Sequence, residues 1–268
     1  MPETSTPFLL LSGLAGPPFR GPMLAAGAGL AASLVFDMQG YLPLFCGPAA
    51  NDLTLGDIVV RLELLIAINR PADFVLAWLA MLVAMMTPLI ALPLSHVRNS
   101  SLATRRSRAA AGFLLGYFGC WLLAGIPLFA AALALRLMAG GATVALPAAV
   151  VLALLWSASP LQQAAQNRAH RLRRIGLFGF AADRDCIAFG ATVGCWCVAS
   201  CWVWMLVPFF VTYGHSFAML AISAIVFGQR LRAPGPVRWR VPGVLLLTVG
   251  WLRRYGISGQ PGDVSGYV

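Results

Sequence analysis

The fifth apolar stretch of the chain carries Gly194-Cys195-Trp196-Cys197, followed by Cys201, Trp202 and Met205. On an α-helix, Cys197, Cys201 and Met205 stand at i, i+4 and i+8 and form one stripe, drifting about 40° per step. Cys195, roughly 200° around from Cys197, faces elsewhere. The second stretch carries Trp78, Met81, Met85, Met86 and Pro88, and Met81 and Met85 share a face. Thiolates and thioethers are soft ligands that select Cu(I) above other ions. Met86 and His215 are secondary candidates, His215 at the mouth of such a site. Each of these residues also has an ordinary packing role, because Met fills apolar gaps and Cys behaves as a small buried hydrophobe. Spacing alone leaves both readings open.

Other chemistry finds little to work with. There is no Walker loop, no HExxH and no nucleophile elbow. His96 and His170 lie in or beside basic stretches, and the nine acids fall mostly in loops. Asp37 is the one acid within a span or at its interface. No catalytic constellation emerges, and an enzyme is not expected.

The solvent for these residues follows from composition. Of 268 residues, 59% are apolar and only 10% charged, against about 25% charged in a soluble domain. Lipid fits that deficit, since a hydrocarbon core of about 30 Å takes roughly 20 apolar residues per helix. All nineteen basic residues are Arg, giving a formal charge of +10. Nucleic-acid binding is not expected, because no soluble domain is left to carry it; clustered Arg fixes topology instead. Met1 to Pro18 lacks the basic leader of a signal peptide. Five of the six Cys lie in or beside apolar stretches, which argues against a secreted disulfide framework.

The elements that would position the soft ligands are then apolar helices. Expected spans are Pro22–Leu44, Phe74–Leu94 with kinks at Pro88 and Pro93, Ala109–Leu135, Thr143–Ala158, Cys186–Val211 and His215–Gly228. Val241–Leu252 reads as a short span or an interfacial helix. Asn51–Asn69 reads as an amphipathic surface helix with Asp57 paired to Arg61. The fold class is all-α: a polytopic transmembrane bundle of six to seven spans plus one periplasmic amphipathic helix. It forms one domain over 1–252 with a flexible tail at 253–268. Gly112 with Gly116, extended by Gly119, and Gly190 with Gly194 form GxxxG patterns that permit close helix approach.

Three alternate loops carry four, five and four Arg. By the positive-inside rule these loops are cytoplasmic, as is the N-terminus, and the location is a bacterial inner membrane. At about 1.5 Å per residue, Met85 falls level with Cys197 and Met81 with Cys201. The second and fifth spans are therefore expected to be neighbours sharing one site at the membrane midplane.

These same residues resemble a family of bacterial predicted metal-binding integral membrane proteins (domain of unknown function 2182). Its Trp-x-x-Met-x-x-Ala-Met-Met-x-Pro run stands here as Trp78, Met81, Ala84, Met85, Met86 and Pro88. Its Gly-x-x-Cys-x-x-x-Cys-Trp-x-x-Met run stands as Gly194, Cys197, Cys201, Trp202 and Met205. Ser159, Pro160, Leu161 and Gln162 match a further short element, and the resemblance covers about residues 74–230. Where many members carry a cytoplasmic pair of Cys, this chain has Ala165 and Ala169, so the resemblance leaves only the intramembrane cluster.

The resemblance implies a metal, most readily Cu(I), held by Met81, Met85, Met86, Cys197, Cys201, Met205 and His215. The partners would then be the lipid bilayer and a copper-donating or copper-accepting protein. Two alternatives stand beside this reading: a structural or assembly subunit docked through its GxxxG faces, and a small-solute permease.

Overall fold

The computed structural model describes residues 16, 18–38, 71–140, 142–211 and 214–243, and these are all-helical, with no strand among them. The helices are α1 (Arg20–Met38), α2 (Pro71–Met86), α3 (Ala91–Asn99), α4 (Arg106–Met138), α5 (Ala142–Ala158), α6 (Pro160–Ala169), α7 (Gly179–Cys201) and α8 (His215–Arg230). Short 3-10 turns at Pro88–Ile90, Ala103–Arg105 and Trp204–Phe210 link or extend them.

Three breaks bend the apolar runs, each for a local reason. Between 75–86 and 88–99 the axis turns by 52°, at Pro88, whose ring cannot continue the helical hydrogen-bond ladder. Between α5 and α6 it turns by 67°. There Ser159 caps the new helix, accepting from the Gln162 amide at 3.2 Å, and Pro160 occupies the first helical position. Between α7 and the 204–210 turn it bends by 63°. The last two breaks lie side by side: the Trp156 and Trp202 rings are 5.5 Å apart, and Trp204 donates to Ser157 at 2.7 Å.

Several expected boundaries shift. The third expected span, Ala109–Leu135, lies inside the 33-residue α4, about 50 Å long. The fifth starts earlier, at Gly179, and its α-helix stops at Cys201. The polar stretch after Ala158 contains α6. By length and composition one described helical stretch, Ala103–Met138, can cross a membrane, and up to four can if each bent pair is one span. The expected count of six to seven spans exceeds this. The amphipathic helix at Asn51–Asn69, most of Val241–Leu252 and the tail lie outside the described residues.

The helix that α7 packs against is α4. A Cβ built at Gly190 would collide with the Phe113 carbonyl, and one at Gly116 with the Ile187 carbonyl. The two GxxxG patterns therefore serve each other, bringing the backbones of α4 and α7 into contact. Gly119 faces open space and takes no part. The expected pairing of the second and fifth spans is corrected here: α2 and α7 are not a close-packed pair, and α2 lies mainly against α1. Glycine lets α7 sit so close to α4 that this face is filled by backbone.

Contacts link the Arg-bearing segments to one another in pairs. Asp183 takes Arg105 at 2.6 Å and Arg108 at 2.7 Å, and Arg105 also donates to the carbonyls of Leu177 and Gly179. His96 meets the Arg173 carbonyl at 3.0 Å. Asn167 donates to the Gly235 carbonyl at 2.8 Å, and Arg230 donates to that of Ala169 at 2.6 Å.

Candidate metal centre

Cys197 and Cys201 lie one helical turn apart near the end of α7, both buried, with sulfurs 3.9 Å apart. The Cys201 thiol donates to the Cys197 carbonyl at 2.8 Å. Tyr117, fully buried on α4, donates its hydroxyl to the Cys197 sulfur at 3.1 Å. Gly194 makes this reach possible, since its missing side chain lets α7 approach the Tyr117 backbone. Tyr117 was not among the sequence candidates. Its signal was a lone phenol inside an apolar run, directly after a GxxxG glycine.

Met205 is fully buried, but it does not extend the Cys stripe as an α-helix would. The α-helix ends at Cys201, and Met205 sits in the 3-10 turn that follows. The expected i, i+4, i+8 register thus holds for the two Cys and is lost at the 63° bend. Cys195 faces the other way, as its spacing requires: it is exposed while Cys197 is buried.

Met81, Met85 and Met86 are all buried in the same hydrophobic core as Cys197, Cys201 and Met205. Met85 turns toward a cavity of about 280 Å³ between α1, α2 and α8, which Met23 and Met219 also line. Ser223 of α8 donates to the Met85 carbonyl at 3.4 Å. Two sulfur-bearing regions thus share one core: a thiol pair at the α4–α7 seam and a thioether-lined cavity at α1–α2–α8. His215 is buried at the start of α8, with Nδ1 3.1 Å from the Pro208 carbonyl.

Among the described residues no three His, Cys, Asp or Glu side chains come together to hold a metal. A third ligand beside the two thiols would have to be of another type, and the thioethers are the soft donors buried in the same core. The two thiols suit such a centre. At a metal–sulfur distance of about 2.3 Å, as in zinc thiolates, sulfurs 3.9 Å apart subtend an angle of about 116° at the ion. That angle is near trigonal and leaves room for a third ligand.

Residues 75–253 match the PpoB2 family model, a copper chaperone family. The chain belongs to this family. No curated protein and no solved structure matches it. The stretch that carries the copper chaperone family match includes Met81, Met85, Met86, Cys197, Cys201, Met205, His215 and Tyr117. Copper handling is therefore the chemistry this fold has to accommodate, and the buried sulfurs are the donors on hand whose softness suits copper.

Proposed function

We propose that this chain is a polytopic protein of a bacterial inner membrane that binds Cu(I) at a buried Cys/Met site and passes it on or across the membrane. Cys197 and Cys201 supply the thiol ligands. Met205, Met81 and Met85 are the thioether candidates, with Met86 and His215 as further ones. The observation that carries the reading is the sulfur pair itself: two buried thiols 3.9 Å apart in a chain of a copper chaperone family.

The membrane part of the reading rests on composition and on charge. The first Arg-rich segment contacts the second, and the second contacts the third; the positive-inside rule expects all three on the cytoplasmic side. The remaining faces of the helices carry exposed leucines such as Leu115, Leu123 and Leu155, which lipid would cover. Bound Cu(I) between two thiolates carries net negative charge, costly in an apolar core. The Tyr117 hydroxyl offsets part of that cost by donating to Cys197.

Cu(I) titration of the detergent-purified protein, under reducing conditions and against a competing chelator, tests the proposal. The wild type takes up Cu(I), and the Cys197→Ser/Cys201→Ser variant loses the tightest-bound equivalent. Equal uptake by both proteins would contradict it.

A further inference from the structure

A second pair of thiols lies outside the site just described. Cys120 of α4 and Cys195 of α7 face each other across the helix seam with sulfurs 3.4 Å apart. Both are free thiols, Cys195 exposed and Cys120 partly so. The Cys120 thiol is also positioned by a contact with the Ala191 carbonyl at 3.3 Å. Their closeness follows from the glycines: Gly194 has no side chain, and the Cβ it lacks would stand 3.0 Å from that of Cys120. Cys120 lies one turn beyond Tyr117 on α4, and Cys195 lies two residues before Cys197 on α7. The seam therefore carries one pair of thiols inside and another outside.

We propose that Cys120 and Cys195 form an outer Cu(I) site, through which copper meets the protein before or after the buried pair. The inference rests on the copper-handling reading. The chemistry is ligand exchange with no redox change: two thiols take one Cu(I) from its incoming ligands, two sulfur–copper bonds form as the bonds to those ligands break, and the two thiol protons pass to the released ligands or to water, giving a complex of net charge −1. With metal–sulfur bonds of about 2.3 Å, a shared ion in linear two-sulfur coordination holds the sulfurs about 4.6 Å apart, so the 3.4 Å pair has to open by roughly 1.2 Å to grip one. Polar groups reach this level of the bundle. The Arg168 guanidinium of α6 stands 4.7 Å from the ring of Trp196, the residue next to Cys195 in sequence.

The test is thiol footprinting of the full-length protein in detergent under reducing conditions. N-ethylmaleimide is the probe, and peptide mass spectrometry reads each Cys with and without Cu(I). Bound Cu(I) should slow alkylation of both Cys120 and Cys195 by about tenfold or more, because the free thiolate is the nucleophile. That protection should persist in the Cys197→Ser/Cys201→Ser variant. The Cys120→Ser/Cys195→Ser variant should take up one equivalent less than the wild type. If the wild type retains Cu(I) while Cys120 and Cys195 react at unchanged rates, the outer site is overturned and the buried site stands. If both outer thiols are protected but the Cys197→Ser/Cys201→Ser variant loses no copper, the buried site fails instead. A wild type that holds no Cu(I) overturns both. Footprinting of the wild type needs no substitution, so misfolding of a variant does not shield the proposal.

Discussion

The Tyr117 hydroxyl donates to the Cys197 sulfur at 3.1 Å, across a seam where two helices touch backbone to backbone. That contact ties the thiol pair to α4, a helix with none of the expected ligands. Removing the hydroxyl should leave the packing of the ring intact. Tyr117→Phe is therefore expected to fold and to bind Cu(I) about tenfold more weakly, the loss of one hydrogen bond to a charged sulfur, about 1.5 kcal/mol. Chelator competition measures it, and an unchanged affinity would remove Tyr117 from the site.

Gly190→Ala should destabilise the bundle by about 1–3 kcal/mol or more, because the new methyl meets the rigid Phe113 backbone. Gly119→Ala, with open space around it, should be neutral within about 0.5 kcal/mol. Thermal unfolding in detergent compares the two. Equal effects would mean the α4–α7 contact is looser than described.

The basic end of the bundle makes a graded prediction. Arg105 is mostly covered and binds Asp183 together with two carbonyls, whereas the Arg108 side chain is 71% exposed. Arg105→Ala should cost about 1–2 kcal/mol and Arg108→Ala less than about 0.5 kcal/mol, as exposed ion pairs do. The order of unfolding temperatures reads this directly, and a larger loss at Arg108 would reverse it.

How much of this was legible in the sequence varies with the kind of information required. The apolar runs marked α5 and α8 to within a few residues, because their ends carry turn residues or Arg. The GxxxG patterns announced close approach, and Gly116 and Gly190 deliver it. Periodicity shows which residues share a face but not which helix lies opposite. The pairing of α7 with α4 instead of α2 was therefore out of reach, and Tyr117 with it. The bend after Cys201 had one local signal, Pro208, whose ring disrupts an α-helix around the residue four before it, and Met205 leaves the helical register in that stretch. Pro88 likewise foretold its own 52° bend. Burial of the Cys and Met candidates was readable from type, whereas His215, expected at the mouth of the site, is buried as well, and the placing of Met85 on a cavity apart from the thiol seam depends on tertiary packing.

Topology is open to a direct check. Single Cys placed at Ser107, Arg173 and Arg238 in a background without native Cys should all be labelled from the cytoplasmic side and none from the periplasm. The positive-inside rule demands one common side. Opposite labelling of any two would break that account.

Copper K-edge X-ray absorption on protein carrying a single equivalent of Cu(I) tests the central claim most directly. The account predicts a nearest-neighbour shell of sulfur alone, about three atoms at roughly 2.3 Å, which loses intensity in the Cys197→Ser/Cys201→Ser variant. A shell dominated by nitrogen or oxygen, or a sulfur shell unchanged in that variant, would contradict it.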